Sequence, residues 1–406
     1  MRKILIISIL FFAYNVEGQT INDYYTIAAE NNPELKAKYK EFEAAMQKIP
    51  QVSSLPDPNL SLGYMIAPVN KSFEAQTLRF TLSQMFPWFG TLKAQKNAAT
   101  LMAESKYQVF LNAKNQLFSQ VANAYYPLYE LLKLKEIEQE NIKILESYKN
   151  IANAKFENGT GSLVDILRVD IMINDAKTNL EILTKKEPAV TSWLNSILNR
   201  KYNEKIIISK ELETIQLPID YRKDSIATNP LLQELELKKQ ASEAAIEVAR
   251  KQGLPKLGIG LEYDFMTKDR NGFNDSDKDM FMPMVTVSLP IFRKKNKAAT
   301  NEAKLMQESY SFQKETFENK LNGTYYKLVF ELEKERDLLK LYEGQVKTLT
   351  KSLNLLFSYY SNANKDFEEV LRMQQELLKY QKLQLSSVST FYIKLAELDY
   401  LTAKQF

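Results

Sequence analysis

Pro58-Asn59-Leu60-Ser61-Leu62-Gly63 alternates apolar residues with small or polar ones, and it recurs as Pro255-Lys256-Leu257-Gly258-Ile259-Gly260. Each stretch follows an Asn-Pro opening at the same distance along the chain, Asn32-Pro33 in one half and Asn229-Pro230 in the other. In both halves a second alternating stretch and a very long helical pattern come next. The chain therefore contains a duplicated unit of helix, strand hairpin and helices, and this duplication decides the fold.

The duplication predicts four segments. They are a signal peptide at 1–18, a first repeat at 19–198 with strands near 59–67 and 76–86, a connector at 199–228, and a second repeat at 229–406 with strands near 256–267 and 281–289. Arg2 and Lys3 precede the short apolar run Ile4–Ala13, and Val16-Glu17-Gly18 offers small residues to a signal peptidase. Because the run is too short to span a bilayer comfortably, a cleaved signal is favoured over the alternative, an uncleaved anchor. We expect the mature chain to begin at Gln19.

Composition narrows the classes of function. The chain of 406 residues is 45% hydrophobic and 26% charged, which is typical of a folded protein, and its net charge of +4 gives no sign of a nucleic-acid surface. It has no cysteine and no histidine, which removes disulfides, thiol nucleophiles and Cys/His zinc sites. Methionines cluster near the predicted strands, but methionine also fills apolar sites. We predict no enzymatic activity, no cofactor and no metal site.

The helical patterns are too long for a small globular domain. The one from Thr91 to about Ala154 would reach ~95 Å at a rise of 1.5 Å per residue. The chain returns from Leu163 to about Leu198, and we expect Pro188 to interrupt this return. The second repeat has the matching pair at about 295–360 and 366–404. Rods of this length bury their apolar residues only by packing in a bundle, so the fold is mainly α.

The predicted strands have the length and pattern of strands that cross a membrane. Leu60, Leu62 and Tyr64 share one face of the first strand, while Ser61 and Gly63 share the other. The apolar face would contact lipid and the small, polar face would line water; the alternative is a soluble sheet covered by helices. Because an open strand edge cannot exist in hydrocarbon, the sheet must be completed by copies of itself, and three copies give twelve strands.

Aromatic residues near the strand ends and loops fit the girdle that such a barrel places at the membrane interfaces. Ordinary strand packing is the alternative interpretation. The residues are Tyr64, Phe73, Phe86, Trp88, Phe89, Tyr263, Phe273, Phe281 and Phe292.

Over essentially its whole mature length the sequence resembles the TolC family of outer-membrane efflux ducts. The resemblance depends on the doubled Asn-Pro openings, on Ser83-Gln84-Met85-Phe86-Pro87-Trp88-Phe89-Gly90 before the first long helix, and on the segment Phe156–Leu167. It implies a trimeric twelve-stranded barrel in the outer membrane of a Gram-negative bacterium, continued by a helical tunnel in the periplasm. It also implies a periplasmic adaptor and an inner-membrane pump as partners. Gln84–Gly90 is most similar to members serving heavy-metal pumps of the resistance-nodulation-division class.

The resemblance also implies two functional regions at the ends of the helical hairpins. The tips of the hairpins dock the adaptor in the family, usually around glycine; the corresponding residues are Gly159, Thr160, Gly161, Ser162, Asn362, Ala363 and Asn364. Acidic rings close the periplasmic mouth in the family, and Asp165 and Glu369 match one ring by position. Arg168 and Arg372 follow where a second acidic residue could stand. We interpret these four as a gate, with solvated helix-surface charge as the alternative.

Charged side chains also occur on the strand faces that we assign to the barrel lumen. They are Arg79, Glu262 and Asp264, and we expect them to tune ion preference, with simple wettability as the alternative. The leading interpretation of the chain is a passive export channel. A periplasmic coiled-coil adaptor is the alternative, although an adaptor usually has one helical hairpin and this chain has two.

Overall fold

The computed structural model describes residues 20–64, 76–209, 212, 221–266, 279–363 and 367–404. Within these residues the chain forms seven α-helices, one short 3-10 helix at Lys223–Thr228 and four β-strands. The helices are α1 (Ile21–Asn31), α2 (Pro33–Ser53), α3 (Thr91–Glu157), α4 (Leu163–Ile197), α5 (Pro230–Gln252), α6 (Lys294–Ala363) and α7 (Phe367–Leu401). The strands are β1 (Asn59–Tyr64), β2 (Gln76–Phe86), β3 (Lys256–Met266) and β4 (Met280–Ser288).

The chain divides into two compact units. The helical unit holds the described residues up to Lys36, those from Lys114 to Ile226 and those from Asn322 onward. The sheet unit holds the described residues of Ala37–Ala113 and Ala227–Leu321. In the part of the chain that the structure describes, no helix is long and apolar enough to cross a membrane.

The four strands form one antiparallel sheet in the order β1-β2-β3-β4. Asn59 of β1 lies opposite Ser83 of β2, and Lys256 of β3 lies opposite Ser288 of β4. Every connection between a strand and a helix in the sheet unit is therefore made at one end of the sheet, which we call its helix end. Strands β1 and β4 are the two edges.

The sheet turns its apolar residues outward, as the alternating pattern predicts. Leu62 is 66% exposed, Ile259 is 59% exposed and Val285 is 79% exposed. On the opposite face Glu262 and Asp264 are buried, at 5% and 1% exposure. This is the reverse of a water-soluble sheet, where the apolar side is the covered one.

The helical unit has an apolar core built by the ends of four helices. Leu145 of α3, Val169 of α4 and Phe367 of α7 are almost fully buried in it, together with Leu353 of α6. Tyr148 stacks on Phe357 with 5.0 Å between the ring centroids. These residues recur at helical spacing along their elements, so each helix contributes one apolar stripe to a shared core.

One detail of the helices differs from the expectation drawn from the sequence. Pro188 does not interrupt the return helix, because α4 runs continuously from Leu163 to Ile197. Pro188 is exposed, so the carbonyl group that loses its helical partner can be solvated. Within the described part of the predicted connector, Ile208 forms an isolated β-bridge.

Candidate functional site

The face of the sheet opposite the exposed apolar residues carries an ion cluster built by two neighbouring strands. Arg79 of β2 lies directly opposite Asp264 of β3. Its Nε is 2.9 Å from Oδ1 of Asp264 and its Nη2 is 3.3 Å from Oδ2, so the guanidinium binds the carboxylate through two nitrogens. Nη1 of Arg79 is 3.2 Å from Oε1 of Glu262, and Thr81 donates a hydrogen bond of 3.3 Å to Oε2. The structure therefore brings together all three residues predicted to line the lumen.

The cluster contains more acidic than basic groups. Two carboxylates face one guanidinium, and the carboxylate side chains are 7% and 2% exposed while that of Arg79 is 44% exposed. Two covered carboxylates share one guanidinium, so both depend on Arg79 for their cationic partner.

The first hairpin tip is a tight turn whose geometry depends on two glycines. Gly159 has φ of +70°, a left-handed conformation, and its N–H donates to the carbonyl of Phe156 over 2.9 Å. At Gly161 a Cβ atom would lie 2.8 Å from the backbone nitrogen of Phe156. Ser162 then caps α4 by accepting a hydrogen bond of 3.2 Å from the N–H of Val164. Thr160 completes the turn by donating from its N–H to the carbonyl of Lys155 over 2.9 Å.

The second tip is described only in part. Asn362 and Ala363 belong to the last turn of α6, and α7 begins at Phe367. Asn364, which the sequence also assigns to this tip, lies outside the described residues.

The residues assigned to the gate lie near the first turns of α4 and α7. Arg168 pairs across the two helices with Glu368, with 2.8 Å between Nη1 and Oε2. Arg372 pairs along α7 with Glu369, over 3.6 Å. Asp165 is in the first turn of α4, where its N–H donates to the carbonyl of Ser162. Glu368 is not among the gate residues predicted from the sequence; its position directly after the apolar Phe367 is the signal that could have placed it at the helix surface.

Aromatic side chains pack together next to Glu368. The rings of Tyr360 and Phe367 stack with centroids 4.5 Å apart. The ammonium of Lys155 lies 4.0 Å from the centroid of Tyr360 and donates a hydrogen bond of 2.5 Å to its carbonyl. Burial, and then the nearby charge of Asp165, raise the pKa of the Tyr360 phenol. These contacts join α3, α6 and α7 next to Glu368, the partner of Arg168.

Among the described residues, no group of three or more acidic side chains is arranged to hold a metal ion.

Sequence and structure comparisons give one coherent result. The profile of the outer membrane efflux protein family matches residues 24–186 and 222–402. Residues 187–221, between the two matched stretches, are not part of the match. No curated protein matches the chain.

Several solved structures share the fold. The structure of CusC is 15% identical, with a TM-score of 0.75 over 94% of this chain and 91% of that one. VceC of Vibrio cholerae is 14% identical, with a TM-score of 0.74 over 94% and 96%. The open state of the MtrE channel of Neisseria gonorrhoeae is 16% identical, with a TM-score of 0.74 over 94% and 88%.

Proposed function

The chain belongs to the outer membrane efflux protein family, and from this premise we propose that three copies of it assemble into one continuous export duct. The protein is an outer-membrane channel of a tripartite efflux system, and it extends into the periplasm. Channels of this family conduct substrates passively and are not enzymes. The periplasmic adaptor considered as an alternative is not favoured by this membership.

Two features of the sheet together support a trimer: it has two unpaired edge strands, and its apolar face is exposed. Strands β1 and β4 each have only one neighbour in the described chain. The outward apolar residues, such as Leu62 and Val285, need lipid beside them. In hydrocarbon an unpaired backbone edge costs several kcal/mol for each free polar group, on the order of the values for buried unsatisfied amides. Pairing β4 of one copy with β1 of the next removes both edges, and three copies close a twelve-stranded ring.

The partners follow from the same premise. Members of the family work with an adaptor and a pump. We propose that the turn containing Gly159 and Gly161 docks a periplasmic adaptor, with the second tip at Asn362, Ala363 and Asn364 as its counterpart. We further propose a pump of the resistance-nodulation-division class, which the similarity of Gln84–Gly90 supports.

A gate at the periplasmic mouth completes the proposal. Asp165, Arg168, Glu369 and Arg372 are its sequence-assigned members, and Glu368 joins them as the partner of Arg168. The pair joins α4 of the first helical hairpin to α7 of the second, so breaking it would let the two hairpins separate at this point. Asp165 and Glu369 would repel their copies around a threefold axis, and the arginines offset that repulsion.

The mass of the detergent-solubilised complex tests the assembly. We expect native mass spectrometry of outer-membrane extracts to give three chains, and we expect the oligomer to dissociate only on heating. The variant Leu62→Pro in edge strand β1 should yield single chains because proline cannot donate to the new ladder. Leu62→Val, which keeps the strand, should remain trimeric. A wild-type protein that is a soluble single chain would contradict the proposal.

A further inference from the structure

A cavity of about 690 Å³ lies at the helix end of the sheet. Its walls come from the segment after α2, the turn between β2 and α3, the end of α5 and the start of α6, all within the sheet unit. We call it the collar pocket, and the residues that matter for its chemistry are Asp57, Trp88, Thr91, Lys251, Lys256 and Lys295. None of the functions assigned above uses it.

The collar pocket favours an anion. Lys251, Lys256 and Lys295 line it, and Asp57 is the acidic side chain among the lining residues. Lys251 has a long contact of 3.4 Å with Glu247, whereas Lys256 and Lys295 form no ion pair with any residue that the structure describes. The first turns of α3 and α6 also lie in the wall. The positive end of each helix dipole adds to the attraction.

Thr91 provides an independent sign that a ligand belongs here. It lines the pocket, is only 4% exposed, and its Oγ1 has no hydrogen-bond partner within the described chain. Its N–H is already satisfied by the carbonyl of Trp88 at 3.0 Å. A buried hydroxyl without a partner is costly, on the order of 1–3 kcal/mol, and an anion oxygen would relieve that cost.

The surroundings of the pocket indicate which anion. The neighbouring Phe89, Ile291 and Phe292 are exposed at 80%, 73% and 84%. Trp88, an amphipathic ring of the kind that sits at headgroup depth, forms part of the wall. The helix end of the sheet is where the membrane-crossing strands meet the periplasmic helices. An anion at that depth, beside exposed apolar side chains, is the headgroup of a lipid.

We propose that the collar pocket binds the phosphate of a glycerophospholipid from the periplasmic side of the outer membrane. Lys251, Lys256 and Lys295 neutralise the phosphate, and the Thr91 hydroxyl donates a hydrogen bond to it. The acyl chains lie along Phe89 and the other exposed apolar residues beside the pocket. The inference uses the outer-membrane location of the protein and does not depend on which compound it exports.

Lipid titration of the purified, delipidated oligomer tests the proposal. Native mass spectrometry would count bound dioleoylphosphatidylglycerol, with dioleoylglycerol, which lacks the phosphate, as the comparison lipid. The triple variant Lys251→Gln/Lys256→Gln/Lys295→Gln should weaken phosphatidylglycerol binding about tenfold or more, because each lysine near a lipid surface contributes about 1 kcal/mol. Thr91→Val should weaken it about threefold by removing one hydrogen bond, while Thr91→Ser should not.

A matched control variant distinguishes binding in the collar pocket from non-specific attraction of the lipid to surface lysines. Lys93→Gln/Lys294→Gln/Lys297→Gln removes the same number of charges from exposed lysines of α3 and α6 that do not line the pocket. Its binding should stay within about twofold of the wild type. The variant Lys251→Arg/Lys256→Arg/Lys295→Arg should bind normally, which guards against misfolding as the cause. Equal losses in both glutamine triples, no loss in either, or displacement of the lipid by equimolar inorganic phosphate would each overturn the proposal.

Discussion

The Nε atom of Arg79 lies 2.9 Å from Oδ1 of Asp264, across the central strand pair of the sheet. The two residues face each other in register, and a second contact joins Arg79 to Glu262 over 3.2 Å. One guanidinium therefore holds two covered carboxylates at the centre of the face that we assign to the lumen. Arg79 is therefore the shared partner of both carboxylates.

Removing this cation should change the ion preference of the channel. We expect Arg79→Gln to shift the reversal potential in planar bilayers toward cation selectivity, because Glu262 and Asp264 would be left without their partner. We also expect a loss of unfolding free energy of about 1–3 kcal/mol, less than for a fully buried pair since Arg79 is partly exposed. Arg79→Lys keeps the charge and should retain the selectivity. An unchanged reversal potential in Arg79→Gln would exclude these residues from the conduction path.

Reversing the charge of Arg168 tests the gate. The contact of 2.8 Å between Arg168 and Glu368 joins α4 to α7. We expect Arg168→Glu to raise single-channel conductance, because like charges would push the helices apart. Arg372→Glu should act in the same direction through Glu369. The double variant Arg168→Glu/Glu368→Arg restores opposite charges and should return the conductance toward that of the wild type.

Lys177→Glu is the matched control for the gate. Lys177 is also on α4 and pairs with Glu146 of α3 over 3.6 Å, well away from the first turn of α4. Its reversal should leave conductance unaltered. If it raised conductance as much as Arg168→Glu, a general loosening of the helices would explain both results.

The two glycines of the first tip should differ in their tolerance of alanine. Gly159→Ala meets no atom within 4 Å but keeps a left-handed backbone, so we expect a cost of about 1–2 kcal/mol. Gly161→Ala brings a methyl group 2.8 Å from a backbone nitrogen and must displace the chain. Thermal unfolding and export in a deletion strain should both be affected more by Gly161→Ala. The reverse order would show that the turn geometry does not limit this tip.

Alkaline pH should destabilise the helical unit through Tyr148. Burial raises the pKa of Tyr148 from 10.0 to about 12. Because the folded pKa is above the unfolded one, the contribution of this phenol is complete below pH 10 and is lost as the pH rises from 10.0 to about 12. Over that range the wild type should lose on the order of 2–3 kcal/mol more unfolding free energy than Tyr148→Phe. Denaturant unfolding at several pH values measures the difference, and parallel curves for the two proteins would refute it.

The elements of secondary structure were predictable because their signals are local. The two Asn-Pro openings each mark the start of a helix, since α2 begins at Pro33 and α5 begins at Pro230. Period-two alternation placed β3 and β4 within a residue or so of their observed bounds. Pro188 shows the limit of such signals, since an exposed proline within a long packed helix does not end it.

The site residues were predictable only as separate positions. That Arg79 would meet Asp264 required the register of β2 on β3, which depends on chain segments 185 residues apart. That Arg168 would choose Glu368 required the packing of α4 on α7, across 200 residues of sequence. The collar pocket could not be foreseen at all, because its lysines come from the end of α5, the start of β3 and the start of α6.

A sheet with an exposed apolar face and ion pairs on its other face has a consequence for the newly synthesised chain. Until the chain reaches a bilayer, the exposed apolar face favours aggregation, and the two unpaired edge strands can pair with strands of other proteins. The unassembled polypeptide therefore needs a chaperone in the aqueous compartment that it crosses. Production without detergent or lipid should give precipitated protein. The rate of assembly should depend on how quickly copies of the chain encounter one another.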